Sequence, residues 1–344
     1  MKCAIIGRVK KRRMTGLERV TILWDKMLQL TPNWEVCLMG DSSIEWDKLK
    51  DVDLIMLGGD SSTEDSIYKK IRTITKSPIL SLSLIRHSYE DAKDIRRLNK
   101  LNLSYGNIYF TIWDGTFGSL GKFKGTNYIS LPKPILSPSL SSIPKYSERS
   151  GICLGHTLKT LNKRFSGHSP YDNMNNTKKV INVLIKTFSK IDFYTYGSGP
   201  APAKSIKIVN PGNEFVTKFL PSIRLFISLQ TNETFYLVPL EAQGVGTPVI
   251  YRHIPQSLTP YVGFSGVKTE TIDDLCFYVD RIYNNKKTWN SFSKCSIDNA
   301  NNVSFKNRAI SMGLILENLI RTCNGSSGQH RRRTLQQLKM NRKK

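Results

Sequence analysis

Apolar and polar positions alternate along the first part of the chain in short blocks. Apolar runs at Cys3 to Gly7, Glu35 to Gly40, Asp53 to Gly58, Ile79 to Ile85, Asn107 to Trp113 and Tyr128 to Leu131 are separated by amphipathic stretches. Runs this short suit strands, and helical-period segments between them are what a parallel sheet covered by helices requires. The clearest helix opens at Thr15-Gly16-Leu17-Glu18, which reads as a capping box, and continues with Leu17, Val20, Leu23, Trp24, Met27 and Leu28 at helical spacing. The residues between the first strand and this helix, Arg8 to Met14, are therefore expected to form a loop.

A Pro- and Ser-rich stretch from Leu131-Pro132-Lys133-Pro134 through Ser137-Pro138 to Ser147 interrupts the alternation and marks an expected domain boundary. The pattern restarts at Gly151-Ile152-Cys153-Leu154-Gly155, with further strands expected at Asp192 to Tyr196, Ser205 to Val209, Arg224 to Leu229 and Pro248 to Arg252. Helices are expected near Thr177 to Phe188, Thr271 to Tyr283, Lys286 to Ser293 and Ser304 to Ile320, before Asn324-Gly325-Ser326-Ser327-Gly328 opens a linker. The pattern predicts an α/β protein of two Rossmann-like domains, 1–145 and 146–323, followed by a basic tail, 324–344, expected to be disordered.

Composition agrees with this division. A chain of 344 residues, 39% of them hydrophobic, is long enough for two packed cores and too apolar for extended disorder. No apolar run approaches the roughly 18 to 20 residues of a membrane span. The chain begins on strand-like Met1 to Ile6 instead of a secretory leader, so a cytoplasmic location is expected. The six cysteines, Cys3, Cys37, Cys153, Cys276, Cys295 and Cys323, form no C-x-x-C pair, so neither a zinc site nor a disulfide framework is indicated.

The formal net charge of +24 changes the picture more. Residues 1–150 hold 24 Lys and Arg against 16 Asp and Glu, residues 151–324 hold 20 against 11, and the tail holds 7 against none. Both halves are basic, and such a field favours a polyanionic partner, either nucleic acid or an anionic membrane surface. A solvated Lys-rich surface is the plain alternative.

Candidate chemistry concentrates between Asn232 and Ile250. Glu233 and Glu241 stand eight residues apart across a loop and a helix start, Pro239 suits a first helical turn, and Gly246-Thr247-Pro248-Val249 leads into a strand. Carboxylate oxygens and the free N–H groups of a helix start suit a polyhydroxylated ligand bearing phosphates. A glutamate pair at this spacing, taken alone, is more often simply solvated.

In order and content this segment resembles the retaining glycosyltransferases of family four, whose signature is a glutamate, seven residues, a second glutamate and a Gly-Thr-Pro-Val strand. Further stretches fall in the family's order: Thr15-Gly16-Leu17-Glu18-Arg19-Val20, Gly155, Gly197-Ser198-Gly199-Pro200 and Ile254-Pro255, so the agreement spans residues 2–320. The resemblance implies a GT-B enzyme, two Rossmann-like domains facing across a cleft that binds a nucleotide sugar. It implies that Glu241 holds the ribose, Glu233 faces the donor sugar, the amides of Thr234, Phe235 and Tyr236 hold sugar and phosphate, Gly197 belongs to the donor site and Gly16 admits the diphosphate. No cofactor or metal is implied, because positive groups and amides stabilise the leaving diphosphate. Where the family carries an arginine in its phosphate loop this chain has His156, and the lysine that follows is Lys159, Lys163 or Arg164, of which Lys163 is favoured. His87 follows a strand as the family's active-site histidine does, and a lone histidine at a strand end is equally often ordinary structure.

Loop one holds Lys10, Lys11, Arg12 and Arg13, placed where the resemblance puts the acceptor's entrance. Contacts of this kind to phosphates would give a nucleic-acid acceptor its affinity, and Tyr109, Phe110, Trp113 and Phe117 are candidates to stack on an extruded base. A narrower similarity joins Arg86-His87-Ser88, Arg96-Arg97 and the run Asn107 to Gly115 to the DNA α-glucosyltransferases of T-even phages, which modify hydroxymethylated cytosine; there an aspartate follows the histidine, and here Ser88 does. The competing expectation is a glycosyltransferase on an anionic membrane surface, acting on a lipid or cell-envelope polysaccharide. Its mark would be an exposed amphipathic helix in the N-terminal half.

Overall fold

The structure, a computed structural model, describes residues 1–7, 16–58, 64–81, 89–113, 127–132, 143–156, 177–197, 200–210, 214–229, 237–252, 262 and 265–325. The described residues form two compact units, one of residues up to 132 together with 306–325, the other of residues 143–305.

In the first unit, strands β1 (Lys2–Gly7), β2 (Glu35–Gly40), β3 (Leu54–Leu57), β4 (Ile79–Ser81), β5 (Ile108–Trp113) and β6 (Tyr128–Leu131) make a parallel sheet in the order β2-β1-β3-β4-β5-β6. Central strands are covered on both faces, so Cys3 to Ile6 and Leu54 to Leu57 are continuous apolar runs no more than 1% exposed, whereas edge strand β2 is half-buried. Parallel neighbours require crossovers, and α1 (Gly16–Gln29), α2 (Asp65–Ile74) and α3 (Tyr89–Tyr105) supply them. Helix α1 buries Leu23, Trp24, Met27 and Leu28, the stripe its periodicity predicts. Its expected cap, Thr15, lies outside the described residues.

The second unit repeats the plan with β7 (Ser150–His156), β8 (Phe193–Tyr196), β9 (Ile206–Val209), β10 (Ile223–Ser228), β11 (Val249–Tyr251) and β12 (Gly266–Lys268), in the order β12-β11-β10-β7-β8-β9. Its described helices of eight residues or more are α4 (Thr177–Thr187), α5 (Leu237–Gly244), α6 (Ile272–Tyr283) and α7 (Lys286–Asn302). Thr271 caps α6 through a reciprocal pair with Asp274, its hydroxyl accepting from the Asp274 N–H at 3.0 Å.

The structure departs from expectation at several elements, among them β12, α7 and the last helix. Strand β12 was not anticipated, because three partly exposed residues at a sheet edge leave no period to read. Helix α7 runs to Asn302 instead of Ser293, because the face it buries after Trp289 consists of Ser293, Ser296 and Ala300 and so carries no apolar stripe. Ser293 nevertheless packs there, donating to the Gly246 carbonyl at 2.6 Å.

The last helix, α8 (Phe305–Gly325), was expected to close the second domain and packs on the first unit instead. The Thr31 hydroxyl donates to the Ala309 carbonyl at 3.1 Å, and the Tyr109 hydroxyl lies 3.3 Å from the Cys323 thiol. At Gly313 the contact is close enough that an added Cβ would fall 2.2 Å from the Thr31 methyl carbon. Of the tail expected over 324–344, Asn324 and Gly325 belong to α8 instead and 326–344 lie outside the described residues, and among the described residues no helix is long and apolar enough to cross a membrane.

At the amino ends of the second sheet, Arg149 is 1% exposed. It donates to the Pro144 carbonyl at 3.0 Å, the Val245 carbonyl at 2.6 Å, the Ile223 carbonyl at 3.3 Å and the Thr247 hydroxyl at 2.6 Å, with its guanidinium 5.1 Å from the Trp289 ring centre. Burial lowers its pKa to about 10, so it stays charged at neutral pH. Arg149→Met strands several buried acceptors at once and is expected to destabilise this unit by about 3 kcal/mol. Urea unfolding checks this, and a loss well under about 1 kcal/mol would contradict the role.

Candidate functional site

The second sheet winds outward from β7 to β8 and β9, then returns to β10 on the other side of β7 and continues to β11 and β12. Connections leave β7 and β10 in opposite directions, which opens a crevice beyond their carboxyl ends, the position where doubly wound sheets bind ligands. The register shift between Cys153 and His156 bends the end of β7 at this edge. Gly155 has φ +78° there, a conformation that strains any residue with a side chain, and its carbonyl accepts from the Thr195 hydroxyl at 2.7 Å. Gly197, with φ +115°, follows β8 at the same edge.

Beyond β10 the chain leaves at Leu229 and returns at Leu237 to begin α5, whose amino end therefore faces this edge. Pro239 sits in the first helical turn as expected, and Glu241 one turn into the helix is 0% exposed. Its helical neighbours Leu240 and Ala242 are buried and apolar, while Gln243 donates to the Ser265 hydroxyl at 2.7 Å. A buried carboxylate costs several kcal/mol unless charge or hydrogen bonds compensate it.

Of the candidate donor residues, the structure thus brings His156, which closes β7, Gly197 and Glu241 to one edge of one sheet. Gly16 is the first residue of α1 in the other unit. His87, Lys159, Lys163, Arg164, Glu233, Thr234, Phe235 and Tyr236 lie outside the described residues, as do Lys10, Lys11, Arg12 and Arg13. The ends of the Glu233 segment are nevertheless fixed at the carboxyl end of β10 and the start of α5. Likewise loop one departs from Gly7 at the end of β1, which lies between β2 and β3, so it leaves from the first sheet's own switch point.

Two aromatic candidates are unsuited to stacking on a base. Phe110 is 1% exposed within the sheet, and Tyr109 faces Cys323 of α8 with its ionisation pushed up by burial. The thiols of Cys3 and Cys153 are buried and raised, Cys153 to about 12, so they are unreactive. Sequence reasoning assigned no role to Arg252 or Thr177. Arg252 follows β11 and is 5% exposed, and its Nη1 lies 3.3 Å from the Thr177 hydroxyl at the start of α4. The available signal was a cation directly after a buried strand, but periodicity does not show what lies across the edge.

No family model and no curated protein sequence matches the chain. Solved structures do match it. A sucrose-phosphate synthase from Thermosynechococcus elongatus superposes with a TM-score of 0.62 at 12% identity, covering 93% of this chain and 99% of that one. An α-glucosyltransferase in complex with UDP gives 0.61 at 10% identity, covering 93% and 100%. A TarM variant from S. aureus in complex with fondaparinux, α-GlcNAc-glycerol and UDP gives 0.58 at 14% identity, covering 78% of this chain, which spans about half of TarM (55%). The fold is that of the GT-B glycosyltransferases: α/β, with two parallel six-stranded sheets.

Proposed function

We propose that the chain is a retaining hexosyltransferase that moves a sugar from a UDP-linked donor to a hydroxyl of a hydroxymethylated base in DNA. The observation that carries the donor half is the switch point of the second sheet. There, topology gathers His156, Gly197, the two ends of the Glu233 segment and the buried Glu241, the stretches on which the sequence resemblance rests. Solved structures of the same fold hold UDP, which supports the choice of nucleotide.

In the proposed reaction the bond from the anomeric carbon to the diphosphate oxygen breaks and its electron pair stays on the diphosphate. The acceptor oxygen bonds to the anomeric carbon from the same face, and its proton passes to the departing diphosphate oxygen. Glu241 holds the ribose, Glu233 faces the sugar, and helix-start amides with nearby cations offset the charge that develops on the leaving group. Because that charge is met by the protein, EDTA is expected to leave activity unchanged. Full loss restored by magnesium or manganese would contradict it.

The acceptor rests on the basic charge and on Lys10, Lys11, Arg12 and Arg13. One observation favours the membrane reading. On α8, Ile310 and Leu314 lie one turn apart, 56% and 57% exposed, with exposed Lys306 a turn before them, in the unit that contains the N-terminus. Incubation with labelled UDP-sugars and either hydroxymethylated DNA or membrane extract separates the readings. Label in DNA supports ours, and label confined to the lipid or polysaccharide fraction replaces it with the membrane enzyme.

A further inference from the structure

Helix α4 has two unlike faces. Val180, Ile181 and Leu184 are buried in the core of the second unit, which fixes the helix against its sheet. Lys178, Lys179, Asn182 and Lys186 are exposed. Positions 178, 182 and 186 recur at i, i+4 and i+8, so these side chains share one face, and together with Lys179 and Val183 they line an open cavity of about 370 Å³.

That face carries one sign of charge. From Asn173 to Ile191 the chain holds Lys178, Lys179, Lys186 and Lys190 and no Asp or Glu. Among the described residues no carboxylate pairs with Lys178, Lys186 or the exposed Lys190. Other lysines of this unit are neutralised locally: Lys207 lies 3.1 Å from Asp192, Lys218 2.6 Å from Glu214 and Lys268 2.8 Å from Glu270. Like charges held side by side on a fixed helix repel one another, and a polyanion relieves that repulsion.

The chemistry of the face selects among polyanions. A helix that lies in a membrane interface needs large exposed apolar residues opposite its cations, and α4 buries its own in the core. A phosphate backbone needs only cations and hydrogen-bond donors, which the lysines and Asn182 supply. The spacing fits too. A rise of about 1.5 Å per residue puts Lys186 about 12 Å along the axis from Lys178, close to the width of the B-DNA major groove, so the two can meet phosphates of the strands that border it.

We infer that the exposed face of α4 is a second contact surface for duplex DNA, meeting phosphates through Lys178, Lys186 and Lys190. It rests on the DNA partner proposed above and adds a contact in the second unit, whereas Lys10, Lys11, Arg12 and Arg13 belong to the first. Binding of an unmodified synthetic duplex to the full chain, followed by fluorescence anisotropy over a salt series, tests it. Lys178→Gln, Lys186→Gln and Lys190→Gln combined are expected to flatten the slope of log K against log salt by up to about 2.7, about 0.9 for each lost contact. Lys and Gln have nearly equal helix propensity, so the melting profile should stay that of wild type. Lys178→Arg, Lys186→Arg and Lys190→Arg combined keep the charge and should keep the slope. Lys207→Gln, Lys218→Gln and Lys268→Gln combined remove the same formal charge and should change the slope much less, because those cations are already paired.

An unchanged slope in the folded α4 Gln variant would overturn the inference. An equal loss in the paired-lysine variant would do so as well, since it would reduce the effect to net charge. So would a wild-type protein that ignores the duplex at low salt, or one whose α4 lysines serve only anionic liposomes. Label transferred to hydroxymethylated DNA with an α4-independent slope would remove this surface and leave the DNA acceptor standing. An α4-dependent slope in a protein that transfers no sugar to that DNA would sink the acceptor reading and leave the surface.

Discussion

Replacing Glu241 or Glu233 by glutamine is expected to lower kcat/KM at least tenfold while the protein stays folded. Glutamine matches glutamate in shape, so the buried position in α5 keeps its packing and loses only charge and acceptor strength. Hydrogen bonds to an ionised group are worth roughly 1.5 to 3 kcal/mol, which corresponds to about one to two orders of magnitude. The two variants should differ in kind. Glu241, assigned to the ribose, is remote from the reacting carbon, so its loss weakens ground state and transition state alike and raises KM. Glu233, assigned to the sugar, should act mainly on kcat. Initial rates over a donor range, with thermal melts as a folding control, check both. Near-normal kinetics in both variants would remove the assignment of this edge as the donor site.

The second large effect concerns the acceptor. If Lys10, Lys11, Arg12 and Arg13 meet DNA phosphates, replacing all four by alanine should flatten the slope of log K against log salt by up to about 3.6, since each lost contact removes about 0.9. Binding should weaken regardless of base sequence, because phosphate contacts carry no sequence information. Donor affinity should change little, because Glu241, His156 and Gly197 belong to the second unit and only Gly16 to the first, whereas loop one leaves the first sheet after Gly7. A quadruple variant with an unchanged slope would move DNA binding away from loop one. A wild-type protein that ignores DNA at low salt and sediments with anionic liposomes would favour the exposed Ile310 and Leu314 of α8.

Much of the fold was legible in the sequence for a physical reason. Strands buried on both faces become continuous apolar runs, so β1, β3, β10 and β11 stood out, and α1, α4 and α6 each bury a regular stripe. Elements escaped where that reason fails. Edge strand β12 is short and half-exposed, and the far end of α7 buries serines. Helix α8 was expected from its periodicity, but a stripe of Ala309, Met312, Leu316, Leu319 and Ile320 does not say which core it joins. The return to Thr31 and Tyr109 is a contact across some 200 residues or more, beyond the reach of any local signal.

The candidate site divides in the same way. Glu241 and Pro239 were readable because the glutamate spacing and the Gly-Thr-Pro-Val strand are local. Gly155 and Gly197 were picked out only by the order of the family's motifs, and both have the positive φ that favours glycine. The contact between Arg252 and Thr177 was not readable. It depends on strand order, which places the end of β11 against the start of α4, and no spacing between residues 177 and 252 encodes that meeting.

The most direct test of the donor site is a crystal structure of the protein grown with UDP. The account predicts the diphosphate at the carboxyl ends of β7 and β10, beside Gly155, with the ribose hydroxyls on the Glu241 carboxylate. UDP bound elsewhere on the molecule, or bound at this edge with Glu241 turned away from the ribose, would contradict it.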